Sequence, residues 1–409
     1  MAGAGRFMLH RLRLRAVLAL AALAVAFAAP GLALAAPAHA AAAPTAIGGA
    51  QLAGHGVIVN YGSSRVARLP KVQASAFVIA DASTGQVLAA RAPHGEYRPA
   101  STLKVLTAIA LIPLLNPDGT VVATKQAAVV TPDVVGIIPG HAYKISDLFT
   151  AMLTISANDA AVALTQATGS FSEGMAAINA EARHLQADDT VAIQPNGLDA
   201  PGQHTSAYDL ALIARQALRL PAFLKYDETI TAKFPVSAHK SVTLYNQNSL
   251  LTSYPGAVGG KIGWTSAAGA TYIGIARRNG VTLIVTLMHC PARTEIDSAM
   301  SLLNWGFAAD GKVTPVGTLV SARPPAASAS ASATASGASG ASGASGASRS
   351  GRPAAGRAAS LARSHRAAAG PSVLVAAGFS GVTLVAVGFG FAYNRRQRPA
   401  ARYRVDARR

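Results

Sequence analysis

The 409-residue chain holds a single cysteine, Cys290, and only 18 aspartates and glutamates against 36 lysines and arginines. One cysteine excludes an intramolecular disulfide, a cysteine-based zinc site and an iron–sulfur cluster. The ten histidines are scattered and none forms an H-x-x-x-H pair, so the sequence predicts neither a metal nor a cofactor. The formal net charge of +18 would favour nucleic-acid binding if it were spread evenly.

The excess of positive charge is confined to the two ends of the chain. Residues 72–310 contain 15 basic and 17 acidic residues, a net charge of −2, while the rest of the chain has 21 basic residues and one acidic residue, Asp406. The middle of the chain therefore has the charge of an ordinary soluble domain, and we expect no nucleic-acid partner.

The N-terminus has the pattern of a secretory signal peptide. Four arginines within the first 15 residues precede an uncharged apolar run over residues 16–29, and Ala38-His39-Ala40 provides a small-residue cleavage triplet. These features predict a signal peptide over residues 1–40, followed by an N-terminal extension over residues 41–71. An uncleaved membrane anchor is the alternative.

The C-terminal region predicts a membrane tether. Residues 311–371 are assigned to a disordered linker, because most of this stretch is Ala, Ser, Gly and Arg and cannot bury enough apolar surface to fold. Residues 372–393 carry no charge, and a helix of this length would span roughly 33 Å, enough for a bilayer core. The arginine-rich tail over residues 394–409 is then cytoplasmic, which places the main domain of this single-pass protein outside the cell.

The predicted folded domain, residues 72–310, has strand signals at both ends. Asn279-Gly280 between two apolar, β-branched runs is a strong signal for a tight hairpin turn. Two hairpins and a following helix are predicted, from residues 76–81 with 86–91, from residues 270–277 with 281–288, and over residues 295–307.

Helices are predicted between the two hairpins. They cover residues 101–112, a stretch from Ser146 as N-cap to Gly169, and residues 206–220, where Pro221 would end the helix. The fold class is therefore α+β: an antiparallel sheet built from both ends of the domain and flanked by helices, plus a mainly helical subdomain. The site is expected in the cleft between these two parts.

Ser101 and Lys104 form the first pattern that points to chemistry. Ser101 begins a predicted helix, so unpaired backbone N–H groups surround its hydroxyl, and Lys104 lies one turn further along the same face. The rest of this helix is apolar nearly all round, so Lys104 is expected to be buried. Burial lowers the pKa of an amine and allows it to take a proton from a neighbouring hydroxyl. The pattern predicts a serine nucleophile that needs no histidine.

A second S-x-x-K match at Ser237 and Lys240 has a different context. Apolar and polar residues alternate over residues 234–244, which predicts one strand. Residues an odd number apart on a strand point to opposite faces, so these two side chains are not expected to meet.

Two further fragments carry polar groups that suit a site. Ser156 and Asn158 form the only S-x-N in the chain and are predicted to lie in mid-helix, where they are either exposed or turned toward a site. Lys261 is held between glycines at a predicted strand start, in a K-x-G that ends at Gly263. Its cation would suit the anionic end of a substrate; a solvated turn lysine is the alternative.

In the order S-x-x-K, S-x-N and K-x-G, these fragments resemble the serine D-alanyl-D-alanine carboxypeptidases, the low-molecular-mass penicillin-binding proteins. The likeness covers residues 74–310 and includes residues 195–203, 246–251 and 254–256. It implies a β-lactamase/DD-peptidase-like fold, peptidoglycan stem peptides as substrates, covalent adducts with β-lactams and a role in cell-wall synthesis and remodelling.

The resemblance also implies roles for the catalytic residues. Ser101 would be the acyl-forming nucleophile and Lys104 its proton acceptor. Ser156 would relay a proton to the leaving amine, and Asn158 would hold the substrate amide. The backbone N–H groups of Ser101 and Trp264 would form the oxyanion hole.

For substrate binding, the resemblance implies that Lys261 engages the terminal carboxylate. Ile262 stands where the family usually has threonine, and the missing hydroxyl removes a possible contact worth about 0.5–1.5 kcal/mol. Reduced activity or altered specificity would follow unless Thr265 or Ser266 compensates. The implied binding residues are Lys261, Gly263, Trp264 and Thr265.

The sequence thus predicts a serine-type D-Ala-D-Ala carboxypeptidase, with two alternatives. A class A β-lactamase would need an E-x-x-x-N segment between the second and third motifs, and Glu173, Glu181 and Glu228 all lack an Asn four residues later. A catalytically silent wall-binding module is motivated by Ile262, although the retention of both members of the S-x-x-K pair argues against it.

Overall fold

The computed structural model describes residues 46–63 and 65–324, in which strands and helices are interleaved. The strands are β1 (Val57–Ile58), β2 (Ala76–Asp81), β3 (Gln86–Arg91), β4 (Thr120–Val122), β5 (Ala142–Lys144), β6 (Thr231–Ser237), β7 (Lys240–Tyr245), β8 (Ala257–Thr265), β9 (Gly269–Arg278), β10 (Val281–Cys290) and β11 (Gly317–Thr318). The helices are α1 (Leu103–Leu111), α2 (Lys125–Ala128), α3 (Ile145–Thr154), α4 (Asn158–Gln166), α5 (Phe171–His184), α6 (Ala207–Ala217), α7 (Pro221–Asp227), α8 (Leu250–Ser253) and α9 (Glu295–Ala309). Two 3₁₀ turns cover Ala50–Ala53 and Ala100–Thr102.

One antiparallel sheet joins strands from both ends of the domain, in the order β1-β3-β2-β10-β9-β8, with β11 also paired to β3. The hairpins β2–β3 and β9–β10 form as predicted, and the turn residues Asn279 and Gly280 have φ values of 50° and 83°, which suit a tight hairpin turn. Pairing of β10 with β2 connects the two hairpins. The predicted α+β class and the sheet built from both chain ends are confirmed.

Helices cover both faces of this sheet. The predicted helix α9 forms and packs on one face, over an apolar cluster that includes Phe77 and Leu303. Helix α6 packs on the opposite face against β2 and β10. Beyond α6 lies the helical part, centred on α1, whose nine residues are all buried. Helix α1 thus runs from the sheet into the helical core and carries Lys104 with it.

Three predicted helix boundaries are wrong. Helix α3 begins at Ile145, and its N-cap is the extended residue Lys144, so Ser146 lies inside the first turn. This helix does not continue to Gly169, because the chain breaks after Thr154 and starts again as α4. Pro221 does not end a helix but begins α7, a position that suits its fixed φ and missing N–H.

The single strand predicted over residues 234–244 is also wrong. The segment forms two strands, β6 and β7, joined by a tight turn. Ser237 and Lys240 are therefore paired across the turn rather than on opposite faces of one strand. Lys240 is exposed, so this pair lacks the buried amine that the predicted chemistry needs.

The fold extends beyond residues 72–310 in both directions. At the N-terminal side, Leu52 is buried and β1 pairs with β3. At the C-terminal side, β11 also pairs with β3 and Leu319 is buried. Residues 311–323, assigned to the linker from composition, thus pack on the domain because this short stretch has apolar side chains of its own.

Several predicted segments lie outside the described residues. These are the signal peptide over residues 1–40, the rest of the linker, the membrane-spanning segment over residues 372–393 and the tail over residues 394–409. Between residues 46 and 324, with Ser64 left aside, no helix combines the length and apolar character needed to cross a membrane.

Candidate active site

Ser101 lies in the 3₁₀ turn that leads into α1. The residue before it, Ala100, has a φ of 47°, a left-handed conformation that costs roughly 1–3 kcal/mol outside glycine. Two hydroxyls donate to the Pro99 carbonyl and hold the turn: Thr102 Oγ1 at 2.6 Å and Thr271 Oγ1, from β9, at 2.7 Å. The sheet and the helix together therefore fix the position of the Ser101 hydroxyl.

Lys104 is fully buried and its amine lies against Ser101. Its Nζ is 2.9 Å from Ser101 Oγ, 2.7 Å from Asn158 Oδ1 and 2.7 Å from the carbonyl oxygen of Asn196. Burial lowers the pKa of Lys104 well below its usual value, and the positive charge of Lys261 lowers it further. The S-x-x-K spacing thus brings the two side chains together in the way the sequence predicts.

The hydrogen-bond partners of Lys104 Nζ leave a place for the Ser101 proton when the amine is neutral. A neutral amine has two hydrogens and one lone pair, whereas an ammonium has three hydrogens and no acceptor. In the neutral form the hydrogens are donated to Asn158 Oδ1 and the Asn196 carbonyl, which leaves the lone pair for the Ser101 O–H. This arrangement has the geometry of a general base beside its nucleophile.

Ser156 lies in the break between α3 and α4, not in mid-helix as predicted. Its φ is 65°, and its side chain is buried. Its Oγ has no hydrogen-bond partner among the described residues. A buried hydroxyl without a partner costs about 1–3 kcal/mol, so stability alone does not explain this serine.

Asn158 joins Lys104 to the loop over residues 131–138. Its Nδ2 donates to the Thr131 carbonyl at 2.8 Å, and its backbone N–H donates to the Asp133 carbonyl at 2.8 Å. The neighbouring Asp159 carboxylate accepts three backbone N–H groups of the same loop, at 2.8–3.1 Å. The S-x-N fragment therefore fixes one wall of the site as well as contacting the amine.

Lys261 lies in the middle of β8, not at a strand start, and only 1% of it is exposed. Its Nζ donates to the Ile262 carbonyl at 2.9 Å. Burial lowers the pKa of Lys261 to about 8, although the negative charges of Asp227 and Asp133 raise it in part. The burial excludes a solvated turn lysine, and the amine remains mostly charged at neutral pH.

Gly263 lets the edge strand β8 approach the nucleophile turn. A Cβ at this position would lie 2.8 Å from Ser101 N and 2.5 Å from Thr271 Oγ1. The next residue, Trp264, is 58% exposed, and Thr265 Oγ1 donates to Asp199 Oδ1 at 3.1 Å. The backbone N–H of Ser101 thus lies beside the free edge of the sheet, where an extended peptide can pair with β8.

Several groups that complete the site have no motif in the sequence. The Asn196 carbonyl and the buried carboxylate of Asp227 reach it from segments to which the motifs give no role. Ile262 is partly buried and packs against the cluster beneath α9. The Thr265 hydroxyl, expected from the sequence to compensate for the threonine contact that Ile262 lacks, donates to Asp199. Within the described ranges, no group of three or more His, Cys, Asp or Glu side chains is placed to hold a metal ion.

Known proteins match this chain over the region that contains the site. A family model described as D-alanyl-D-alanine carboxypeptidase matches residues 63–292. D-alanyl-D-alanine carboxypeptidase DacB2 of Mycobacterium tuberculosis is 37% identical over 257 residues, which is 61% of this chain and 88% of that protein. D-alanyl-D-alanine carboxypeptidase DacD of Escherichia coli is 32% identical over 254 residues, 58% of this chain and 64% of that protein.

Solved structures show the same fold. A D-alanyl-D-alanine carboxypeptidase of Mycobacterium tuberculosis matches with a TM-score of 0.61 at 36% identity, covering 64% of this chain and 99% of that one. A variant of the Streptomyces K15 DD-transpeptidase matches with a TM-score of 0.55 at 25% identity, covering 58% and 99%.

Proposed function

Because the chain belongs to the D-alanyl-D-alanine carboxypeptidase family of serine peptidases, we propose that it removes the terminal D-alanine of peptidoglycan stem peptides through an acyl-enzyme on Ser101. The observation that carries this proposal is the contact of 2.9 Å between Ser101 Oγ and the buried Lys104 amine. A hydroxyl is a weak nucleophile until a base takes its proton, and this amine is placed to do so.

In the proposed acylation, Ser101 Oγ attacks the carbonyl carbon of the penultimate D-alanine while Lys104 takes the hydroxyl proton. The backbone N–H groups of Ser101 and Trp264 stabilise the resulting oxyanion. The C–N bond breaks as Ser156 donates its hydroxyl proton to the leaving D-alanine amine and takes the proton held by Lys104 in its place, which returns Lys104 to the neutral amine. Water then attacks the ester carbonyl while Lys104 takes a proton from it, and the ester C–O bond breaks as Lys104 returns that proton to Ser101 Oγ. The buried Ser156 Oγ, which has no hydrogen-bond partner in the part of the chain that the structure describes, supports its role as the relay.

For binding, we propose that the Lys261 ammonium receives the terminal carboxylate of the substrate and that Asn158 holds an amide of its backbone. Gly263, Trp264 and Thr265 on β8 line the strand along which the peptide extends. The edge position of β8 and the buried, charged amine of Lys261 support this assignment. Penicillins, whose carboxylate lies near a reactive amide, are expected to acylate Ser101 and remain bound.

We further propose that the protein works at the outer face of the cell membrane. The support comes from the sequence alone: a signal peptide over residues 1–40, a linker and an uncharged span over residues 372–393, and an arginine-rich tail. The division into a catalytic domain and a linker belongs to the same proposal. Because Leu52 and Leu319 are buried and β1 and β11 pair with β3, the domain extends beyond 72–310 on both sides, and the linker is placed after residue 323 rather than at residue 311. On this arrangement the catalytic domain reaches peptidoglycan while the tail stays cytoplasmic.

Covalent labelling tests the nucleophile. A fluorescent penicillin is expected to label the full-length chain, and Ser101→Ala is expected to abolish the label because no other hydroxyl contacts the Lys104 amine in the described residues. Ser237→Ala, which changes the serine of the second S-x-x-K pair, is the matched control and should label as the unmodified chain does. Labelling that survives in Ser101→Ala would overturn the assignment.

Product release separates an enzyme from a silent binding module. Incubation with a pentapeptide ending in D-Ala-D-Ala should release D-alanine, and Ser101→Ala should release none. Penicillin labelling without any D-alanine release would instead favour the wall-binding module that Ile262 motivates.

A further inference from the structure

A group of buried polar contacts next to Lys261 has no role in the proposed chemistry. Asp227, at the end of α7, is fully buried, although it carries a carboxylate. Its Oδ2 accepts the backbone N–H of Gly260 at 2.7 Å, and its Oδ1 has no hydrogen-bond partner among the described residues. A buried carboxylate with one unsatisfied oxygen destabilises the fold unless something else offsets it, so its presence calls for a functional explanation.

The local backbone is shaped to admit this carboxylate. The pairing of β8 with β9 shifts register between Ala257 and Gly259, and Gly260 has a φ of 135°. A Cβ on Gly259 would overlap Asp227 Oδ2, and one on Gly260 would overlap the Ile273 carbonyl oxygen. Two consecutive glycines thus let the strand bulge against α7 immediately before Lys261.

The peptide before Lys261 is held on both sides. Asp227 takes the N–H of Gly260, and Asn248 Nδ2 donates to the Gly260 carbonyl at 3.3 Å. Asn248 Oδ1 in turn accepts the Tyr272 hydroxyl at 2.6 Å. These three buried side chains fix the position from which the Lys261 side chain extends, and only Asp227 among them carries charge.

From this geometry we propose that Asp227 is a positioning residue. It holds the Gly260 peptide and keeps the Lys261 ammonium charged, and Lys261 can therefore bind the terminal carboxylate of the substrate. This inference rests on the proposed function, because it assigns to Asp227 the support of a carboxylate-binding lysine. Asp227 contacts the strand that carries Lys261 and not the substrate itself.

Asp227 and Lys261 titrate over neighbouring pH ranges. Burial raises the pKa of Asp227 to about 7, against the opposing effects of the Gly260 N–H and the Lys261 charge, while Glu228 raises it further. Above that pH the carboxylate is charged, and this raises the pKa of Lys261, which burial lowers to about 8. Asp227 therefore becomes negative over the range in which Lys261 would otherwise lose its proton.

The other titratable groups near Asp227 and Lys261 do not cancel the increase in the pKa of Lys261 that Asp227 causes. Asp133 also raises the pKa of Lys261, from the opposite wall of the site. The buried Tyr272 hydroxyl has a pKa well above its usual value and stays neutral, and the amine of Lys104 is a weak base for the reason given above. Removal of the Asp227 charge should thus shift the Lys261 titration to lower pH.

The test is the pH dependence of kcat/KM for D-alanine release by the full-length protein, from pH 6 to 10, with the same profile for acylation by fluorescent penicillin. The unmodified chain should lose activity above pH 8 as Lys261 deprotonates. In Asp227→Asn the alkaline midpoint should move down by about one unit, which lowers kcat/KM about five- to tenfold at pH 8.5, mainly through KM. At pH 6 the two proteins should agree within about twofold, because Asp227 is then largely protonated in the unmodified chain.

Asp209→Asn is the matched control. Asp209 on α6 is as buried as Asp227, but its carboxylate accepts a hydrogen bond from Thr190, at 2.7 Å, and not from β8. Its loss should reduce stability and leave the alkaline midpoint in place. A midpoint that stays near 8 in Asp227→Asn, or an equal loss at pH 6 and pH 8.5, would overturn the inference while the proposed function stands. Absence of D-alanine release by the unmodified chain at every pH would overturn the function instead.

A second measurement follows the titration in the unmodified chain and uses a variant only to assign the Lys261 signal. The Lys261 side chain of the unmodified chain, observed by NMR with ¹³C-labelled lysine and assigned by its absence in Lys261→Ala, should report two steps. One lies near pH 7, when Asp227 loses its proton, and the other near pH 8, when Lys261 does. A single step at the Lys261 titration alone would contradict the coupling.

Discussion

Lys104→Met is expected to slow acylation of Ser101 by fluorescent penicillin by about 10²- to 10⁴-fold, the usual contribution of a general base. Methionine fills a similar volume in the apolar surroundings of α1, so the domain should still fold. It has no lone pair basic enough to take the serine proton, and Ser101 Oγ loses the contact of 2.9 Å that activates it. The measurement is the second-order rate constant for labelling, compared with circular dichroism of the same samples.

Two further variants show whether acylation needs a base at position 104 or only a positive charge. Lys104→Arg keeps a positive charge but cannot act as a base at neutral pH, so it should be as slow as Lys104→Met. Lys240→Met changes the exposed lysine of the second S-x-x-K pair and should label at the unmodified rate. Fast labelling of Lys104→Met would show that another group activates Ser101.

Gly197→Ala is expected to lower the free energy of unfolding by about 2–5 kcal/mol and the acylation rate by at least about a hundredfold. Gly197 has a φ of 81°, and a Cβ there would overlap the carbonyl oxygen of Ala100, the residue before the nucleophile. The preceding carbonyl, on Asn196, accepts a hydrogen bond from Lys104. Any shift that relieves the overlap therefore moves the nucleophile turn or an acceptor of the base.

Gly202→Ala isolates the part of this effect that comes from backbone conformation. Gly202 has nearly the same φ, 80°, in the same segment, but nothing lies within 4 Å of a Cβ there. Its substitution should cost only about 1–2 kcal/mol and leave acylation unchanged. The two variants should therefore differ widely from each other in both the free energy of unfolding, measured with denaturant, and the labelling rate. Equal effects of the two substitutions would mean that the close approach to Ala100 is unimportant.

The parts of the fold that the sequence predicted are those set by neighbours in the chain. The β9–β10 hairpin follows from Asn279-Gly280 between two apolar runs, and the contact between Ser101 and Lys104 follows from one turn of helix. In each case the residues that determine the structure lie within a few positions of one another.

The parts that were missed depend on contacts far along the chain. Ser156 takes a positive φ in a helix break where the next residues bond to Ala151 and to the loop at Asp133, and no local pattern indicates such a break. The Asn196 carbonyl reaches Lys104 across 92 residues as a backbone group, which has no residue-type signature. Asp227 reaches β8 from a helix of seven residues, so nothing in its own segment marks it as part of the site.

The two lysines of the site have opposite protonation requirements, and the surroundings separate them. Lys104 must be neutral to take a proton, and burial lowers its pKa, as does the nearby positive charge of Lys261. Lys261 must be charged to bind a carboxylate, and it has the carboxylates of Asp227 and Asp133 nearby. Activity is thus expected between the pH at which Lys104 loses its proton and the pH, near 8, at which Lys261 does.

The protonation state of Lys104 in the free enzyme is the quantity on which the account depends most. Side-chain NMR of the full-length chain with isotope-labelled lysine, assigned by the signal that disappears in Lys104→Met, measures it directly. We predict a titration midpoint far below 10.5, so that the amine is already neutral at the pH where Ser101 is acylated. A Lys104 signal that stays protonated up to pH 10 would contradict the mechanism.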